Sequence, residues 1–452
     1  MTKRISLLSL AVLLGLLPLN AQAQQMSFIR DAEIENTIRI YATPLFQQAG
    51  VDPMAVTIHL VNSREINAFV AGGLNLFLNT GLIVRTKNAG ELIGVIAHET
   101  GHIAGGHLLR GYDAYENASY EAIAAALIGM AAGVAARNGG AAEAIAGAGQ
   151  DIAMRNYLSF SRSIEGSADT AALRFLDNLH ESSRGFLDFM QTLMNEEALL
   201  TVNQDPYVRT HPLTQDRIDE IQHHVDTSPW TNATWPPQYE DMHRLIVAKL
   251  WAFLYPPSEA FRRYPESDKS VAGRYARAIA YYRIPDLDHA IPLIDGLIAE
   301  RPNDPYFHEL KAQMLYENAR VKEAIPEYQL AVKLQPFSAL IRTELGTAEV
   351  ASDDDAAIKD AVEHLKLATH QEPDNAEAWL QLSSAYSHLS ENDPKAEAAL
   401  AEYSLLAGKY AEAIFHADRA AKALPRGSPV ELRMEDLKAQ AEQERERAKK
   451  NQ

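Results

Sequence analysis

Apolar residues recur along the first hundred positions with two different periods. Ile34, Ile38, Tyr41 and Leu45 return every three or four residues, so 28–48 predicts a helix that Gly50 stops. The run VTIHLV at 56–61 is rich in β-branched residues and predicts a strand. Segments 66–70 and 74–79 flank Gly72-Gly73 and predict a hairpin or two short strands. Over 91–97 an apolar face broken by little predicts a helix, reaching about Gly105-Gly106. An exposed strand edge beside that helix could hold an extended peptide by main-chain pairing, and the pattern leaves open which strand is the edge.

The stretch 122–136 (AIAAALIGMAAGVAA) is apolar and small, and too short for an ordinary membrane-spanning helix. With the turn at 138–140 it makes 113–150 a helical hairpin of little bulk. Such a hairpin either makes peripheral contact with a membrane or apolar partner, or packs closely through its small residues. Helices are expected over 152–177, 186–194 and 242–254, with a short one opening at Arg217 and Ile218 and a loop at 228–238. From about 271 the texture changes. Pro302 and Pro336 stand 34 residues apart, the tetratricopeptide period, with Ala312, Ala324, Tyr328 and Ala331 in register. Pro373 follows 37 residues later, and beyond it the register becomes irregular. Repeats of this kind stack into a superhelix with a concave face suited to a protein partner. The expected fold is α+β, mostly helical with a small sheet, over 24–260, then an all-α tetratricopeptide-repeat superhelix over 268–446.

Charge narrows the function. The formal net charge is −18 and no Lys/Arg cluster of nucleic-acid-binding type appears, so no nucleic acid is expected as a partner. The absence of cysteine removes disulfides, thiolate metal ligands and cysteine nucleophiles together. Lys3 and Arg4, an apolar run at 5–19 and Ala21-Gln22-Ala23 read as a signal peptide, 1–23, cleaved after Ala23. With no cysteine to lipidate, the expected location is the periplasm of a Gram-negative bacterium.

The chemistry sits in HETGH at 98–102. On a helix, positions i and i+4 share one face, so His98 and His102 can reach one cation, and imidazole is a zinc ligand. Glu99 is placed to take a proton from a water. Two histidines leave zinc, one ion per chain, short of a protein ligand. His107 lies one residue early for the pattern that uses a third histidine six residues past the second, and is set aside. Glu165 is the better candidate, because Asp169 four residues on faces the same way and can orient a histidine. His211, before a proline, is either an oxyanion stabiliser or a fourth ligand that keeps the site latent.

Together HETGH, SRSIEGSAD around Glu165, INAFVAGG at 66–73 and THPLTQDR at 210–217 resemble the zinc protease family that includes HtpX and the CAAX prenyl proteases. The leader and the repeats point to its periplasmic branch. The resemblance implies a zincin-like metallopeptidase domain with zinc on His98, His102 and Glu165, Glu99 as general base and Asp169 behind the ligands. It also implies roles near the metal for His211 and Arg217. Polypeptide substrates among misfolded or stalled outer-membrane proteins are implied too, with an outer-membrane β-barrel assembly complex as the repeat partner. The competing reading is a repeat scaffold or chaperone docking that complex, with the protease domain latent.

Overall fold

The computed structural model describes residues 27–107, 162–197, 211 and 213–450. The leader and the hairpin expected over 113–150 lie outside the described residues.

Strand β1 (Phe28–Ile29) opens the described chain, and helix α1 (Ala32–Gln48) follows it. The helix expected from 28 therefore starts later. The side chain of Asp31 accepts from the N–H of Ile34 and caps it, which leaves Phe28 and Ile29 extended. Strands β2 (Thr57–Val61), β3 (Ala68–Ala71) and β4 (Asn75–Asn79) complete a four-stranded sheet in the order β1-β2-β4-β3. The β3–β4 hairpin closes because Gly72 and Gly73 adopt φ of 55° and 93°, a region open to glycine. β4 pairs parallel with β2, so β3 forms one edge of this sheet and β1 the other.

After the short α2 (Thr80–Arg85) comes α3 (Ala89–Ala104), the metal-motif helix. Asn88 caps its start, and every residue from Ala89 to His102 is buried. A helix buried on all sides, its polar motif residues included, is central to the domain. It lies against α4 (Arg162–Asn178), α5 (Arg184–Glu197), α1 and β3. Two glycines permit the close approach. A Cβ on Gly94 would meet Phe186 Cβ at 2.5 Å, and one on Gly101 would meet the Ala168 carbonyl oxygen at 2.6 Å. Helix α6 (Gln215–Thr227), capped by Thr214, rests on α4 and α5.

Helix α7 (Pro237–Leu254) serves two cores. Ile246, Val247 and Leu250 join the core around α3, while Leu245, Ala248 and Ala252 join the one that follows. Short α8 (Pro257–Arg263) leads to the repeats. These run as α9 (Val271–Arg283), α10 (Leu287–Glu300), α11 (Pro305–Glu317), α12 (Val321–Leu334), α13 (Ala339–Val350) and α14 (Asp355–Gln371). Next come α15 (Ala376–Leu389), α16 (Pro394–Leu406), α17 (Tyr410–Ala423) and the charged α18 (Pro429–Lys450). Consecutive helices lie side by side throughout, which is a tetratricopeptide-type superhelix. The irregular register after Pro373 has a plain cause: three helices, not two, separate Pro373 from Pro425.

The array is also fastened to the N-terminal part by charge. Lys249 Nζ lies 2.8 Å from Asp31 and 3.3 Å from Glu33, and Tyr275 Oη donates to Glu33 at 2.7 Å. Arg30 bonds Glu35 and reaches across to Glu372 at 3.0 Å.

Candidate metal centre

Helix geometry alone brings the first pair together: His98 Nε2 and His102 Nε2 lie 3.1 Å apart on the buried face of α3. Helix α4 delivers Glu165 against them. Its carboxylate oxygens lie 3.5 Å from both His98 Nε2 and His102 Nε2. His211 arrives from the segment before α6. Its Nδ1 is 3.4 Å from His98 Nε2 and 3.3 Å from each Glu165 oxygen. The four side chains are buried, and their donor atoms lie within 4.8 Å of one another.

These separations test the fit to a metal. Tetrahedral zinc with ligands at about 2.0–2.1 Å has donor–donor edges of about 3.3 Å. The separations from His98 to His102, His211 and Glu165, and from Glu165 to His102 and His211, run from 3.1 to 3.5 Å, with Glu165 meeting His98 and His102 through different oxygens, and all four donor atoms lie within 4.8 Å. Three imidazoles and a carboxylate also make a suitable donor set for zinc, so the residues present fit it.

Around this tetrahedron each motif histidine has a partner on its far nitrogen. His98 Nδ1 lies 2.9 Å from Asp169 Oδ1. His102 Nδ1 lies 3.0 Å from His107 Nδ1. His107, set aside as a ligand, thus stands behind His102, where it can orient the ring. Its sequence signal was present in the motif's own shadow, five residues on, but which ring nitrogen it would meet depends on the turn at Gly105 and Gly106. Arg217 lies behind the carboxylates and is buried. It donates from Nε and Nη2 to Asp169 at 2.6 and 2.9 Å, and its Nη1 sits 3.0 Å from Glu165.

The charges respond to one another. Burial, the largest influence on Glu165, works to raise its pKa, yet the imidazoles of His211 and His98 hold it well below the usual carboxylate range. Asp169 is likewise lowered against burial, by His98 and Arg217. Burial pushes His102 well down, helped by His98. His98 is held up at about 10 despite burial, because Asp169 and Glu165 favour its protonated form. That proton supplies, without metal, the positive charge that the carboxylates demand. A cation between the ligands takes its place.

Glu99 differs from all of these. Both of its oxygens are buried without a hydrogen-bond partner among the described residues. Burial raises its pKa, and Oε1 approaches His211 Nε2 only to 3.5 Å. It is a desolvated carboxylate beside the metal ligands with unused acceptor capacity. The site also faces the sheet edge, since His211 Nε2 lies 3.1 Å from the carbonyl oxygen of Ala68 on β3.

Residues 29–225, which hold every one of these side chains, match the family model described as Peptidase family M48. The chain carries a peptidase family M48 domain. Peptidases of this family use zinc, and the protein is a metalloprotease acting on polypeptides. Two curated relatives extend the likeness past the M48 domain. A putative beta-barrel assembly-enhancing protease of Vibrio cholerae is 24% identical over 404 residues, spanning 86% of this chain and 80% of that one. The beta-barrel assembly-enhancing protease of Yersinia pestis is 25% identical over 368 residues, spanning 79% of this chain and 72% of that one. Among solved structures, a thermophilic tetratricopeptide-repeat protein of Thermus thermophilus covers 37% of this chain and 98% of its own, at 21% identity and a TM-score of 0.25.

Proposed function

We propose that this M48 protein is a periplasmic zinc endopeptidase that degrades misfolded or stalled outer-membrane β-barrel proteins. In this reading His98, His102 and Glu165 hold the zinc, and Asp169 and His107 orient the two histidines. Bound there, zinc supplies Lewis acidity, polarising a scissile carbonyl and making a water more acidic. The rest belongs to the chain. Glu99 takes the proton of the attacking water on a carboxylate oxygen and returns it to the leaving amine nitrogen. Its lack of a hydrogen-bond partner among the described residues is the observation that carries the reading, since a buried carboxylate left unpartnered is costly unless chemistry uses it. Arg217 is assigned a positioning role, holding Asp169 and Glu165 rather than touching substrate. The edge strand β3, whose residues are buried in this structure, is the one with which an extended polypeptide would pair.

His211 is read as the latch of a resting state. Its Nδ1, beside His98 and Glu165, would be a fourth donor to the zinc while Nε2–H donates to Ala68 O, engaging the same edge strand that a substrate would pair with. The repeats, which expose Phe337, Leu367 and Phe415, dock a protein partner of the outer-membrane assembly machinery. The names of the relatives and the predicted leader support the location and substrate class.

The test is zinc analysis with digestion of an unfolded β-barrel protein and of casein. Glu99→Gln should keep its zinc and lose cleavage, by roughly 10²-fold or more. Full cleavage by zinc-loaded Glu99→Gln would overturn the mechanism. His211→Ala should cleave faster than wild type. Slower cleavage by this variant would convert His211 from latch to oxyanion stabiliser.

A further inference from the structure

A cavity of about 560 Å³ lies away from the metal centre, where three parts of the chain meet. Residues 64–87 of the M48 domain line one side, residues 243–255 of α7 the floor, and residues 263–272 leading into α9 the other side. In a chain of net charge −18, its wall gathers five cations, Arg64, Arg85, Lys87, Arg244 and Arg263, against one acid, Asp268. That acid is engaged elsewhere: its carboxylate accepts the Ser270 N–H at 2.9 Å and lies against Gly273 at the start of α9. It does little to neutralise the guanidinium groups.

Two of the cations are held in place without a counter-ion. Arg263 stacks over Trp251 at 4.7 Å, Trp251 stacks on Tyr255 at 3.9 Å, and Arg64 covers Tyr255 at 4.8 Å. The result is a four-layer stack, cation–ring–ring–cation. Neither Arg64 nor Arg263 has a carboxylate at salt-bridge distance among the described residues. Stacking fixes a guanidinium plane while leaving its N–H fork available to an oxyanion.

Two residues of the wall, Trp251 and His243, also hold polar atoms without partners, buried out of contact with the cavity space. Trp251 Nε1 is a donor with none among the described residues. His243 is 2% exposed, and its Nε2 lies 2.8 Å from Thr86 Oγ1, which itself donates to Ile83 O at 2.7 Å. Nε2 must therefore carry the proton in that pair. Nδ1 is left as an acceptor, and it has no partner among the described residues. A ligand suited to this wall brings strong negative charge and several oxygens for the guanidinium forks. A carboxylate offers one charge and two oxygens. A phosphate monoester offers up to two charges and three terminal oxygens.

We propose that this cavity binds a phosphate monoester group, with Arg64 and Arg263 as its principal contacts. Two sources share that chemistry, a soluble phosphate and the headgroup of a phosphatidic-acid-type lipid. Occupancy would tie the M48 domain to the helix that leads into the first repeat, because Arg64 comes from the one and Arg263, on α8, from the other.

The test uses the full zinc-loaded chain. Calorimetry with inorganic phosphate should give saturable binding that weakens at least tenfold in Arg64→Gln and in Arg263→Gln. Lys269→Gln, a change to an exposed cation on the same loop that does not line the cavity, should leave it intact. Arg64 is exposed, so its replacement keeps the test usable if Arg263→Gln fails to fold. Sedimentation with phosphatidylcholine vesicles, with and without phosphatidic acid, separates the sources. Binding only to the vesicles that contain phosphatidic acid, displaced by inorganic phosphate, assigns the lipid; phosphate binding without sedimentation assigns the soluble group. The chain's own negative charge keeps non-specific attraction to anionic vesicles low. Absence of saturable binding in both arms, unchanged affinity in both arginine variants, or equal competition by acetate would overturn the proposal.

Discussion

Replacing Asp169 by Asn alters one charge with almost no change of shape, and the structure says what that charge does. One oxygen lies 2.9 Å from His98 Nδ1, and the carboxylate accepts two bonds from Arg217 at 2.6 and 2.9 Å. An asparagine has one acceptor oxygen. If its NH₂ turns to Arg217, two donors face each other in a buried site. If the NH₂ turns to His98, it demands an unprotonated Nδ1 and so drives the proton onto Nε2, the nitrogen that faces the metal. Either arrangement weakens His98 as a ligand. Loss of a partner behind a metal ligand commonly lowers affinity 10–100-fold, or about 1.4–2.7 kcal/mol. Because Asp169 serves two groups, the expected loss is near the upper end, roughly 100-fold. The assay is zinc competition against a chromogenic chelator at neutral pH, with circular dichroism to verify the fold. Cleavage per bound zinc should change little, since Asp169 touches no reacting atom. Zinc affinity within about twofold of wild type would refute the reasoning.

Two further outcomes follow from packing and from burial. Gly101→Ala inserts a methyl group where the Ala168 carbonyl oxygen stands 2.6 Å away, which should push α3 from α4 and cost about 1–3 kcal/mol; a thermal melt and zinc titration should both show the loss, and an unchanged zinc affinity would mean the helices separate freely. Glu33 is buried at the joint with the repeats, and burial, opposed by Lys249, pushes its pKa up from 4.5 to about 7. A raised carboxyl favours the protonated folded state, so its contribution is fully present below pH 4.5 and is lost as pH rises to about 7. Melting temperatures across that window should therefore shift in favour of Glu33→Gln as pH increases; parallel curves for variant and wild type would contradict the assignment.

The parts of the site that could be read along the chain are those whose geometry is local. His98 and His102 meet because a helix places i and i+4 together whatever surrounds it. The same holds for Glu165 and Asp169 on α4, and for the hairpin that Gly72 and Gly73 turn. The 34-residue repeat step is likewise a local period, and it became illegible where α15 adds a helix of its own.

The remaining features arise between segments distant in sequence, and no spacing encodes them. That β3 is an edge strand follows from β4 choosing β2 as its parallel neighbour. That Arg217 clasps Asp169 and Glu165 follows from how α6 lies on α4. His211 meets Glu165 and Ala68 across 46 and 143 residues of chain. Helix α7 looks like an ordinary amphipathic element until two cores claim opposite parts of it. The sequence by itself therefore determined which groups are available, two histidines one helical turn apart with a carboxylate beside them and a second carboxylate pair, since side-chain type and helical period suffice for that. Only the tertiary structure decided the state of that chemistry, because the fourth ligand position, the strand edge beside it and the joint to the repeats are all products of long-range packing.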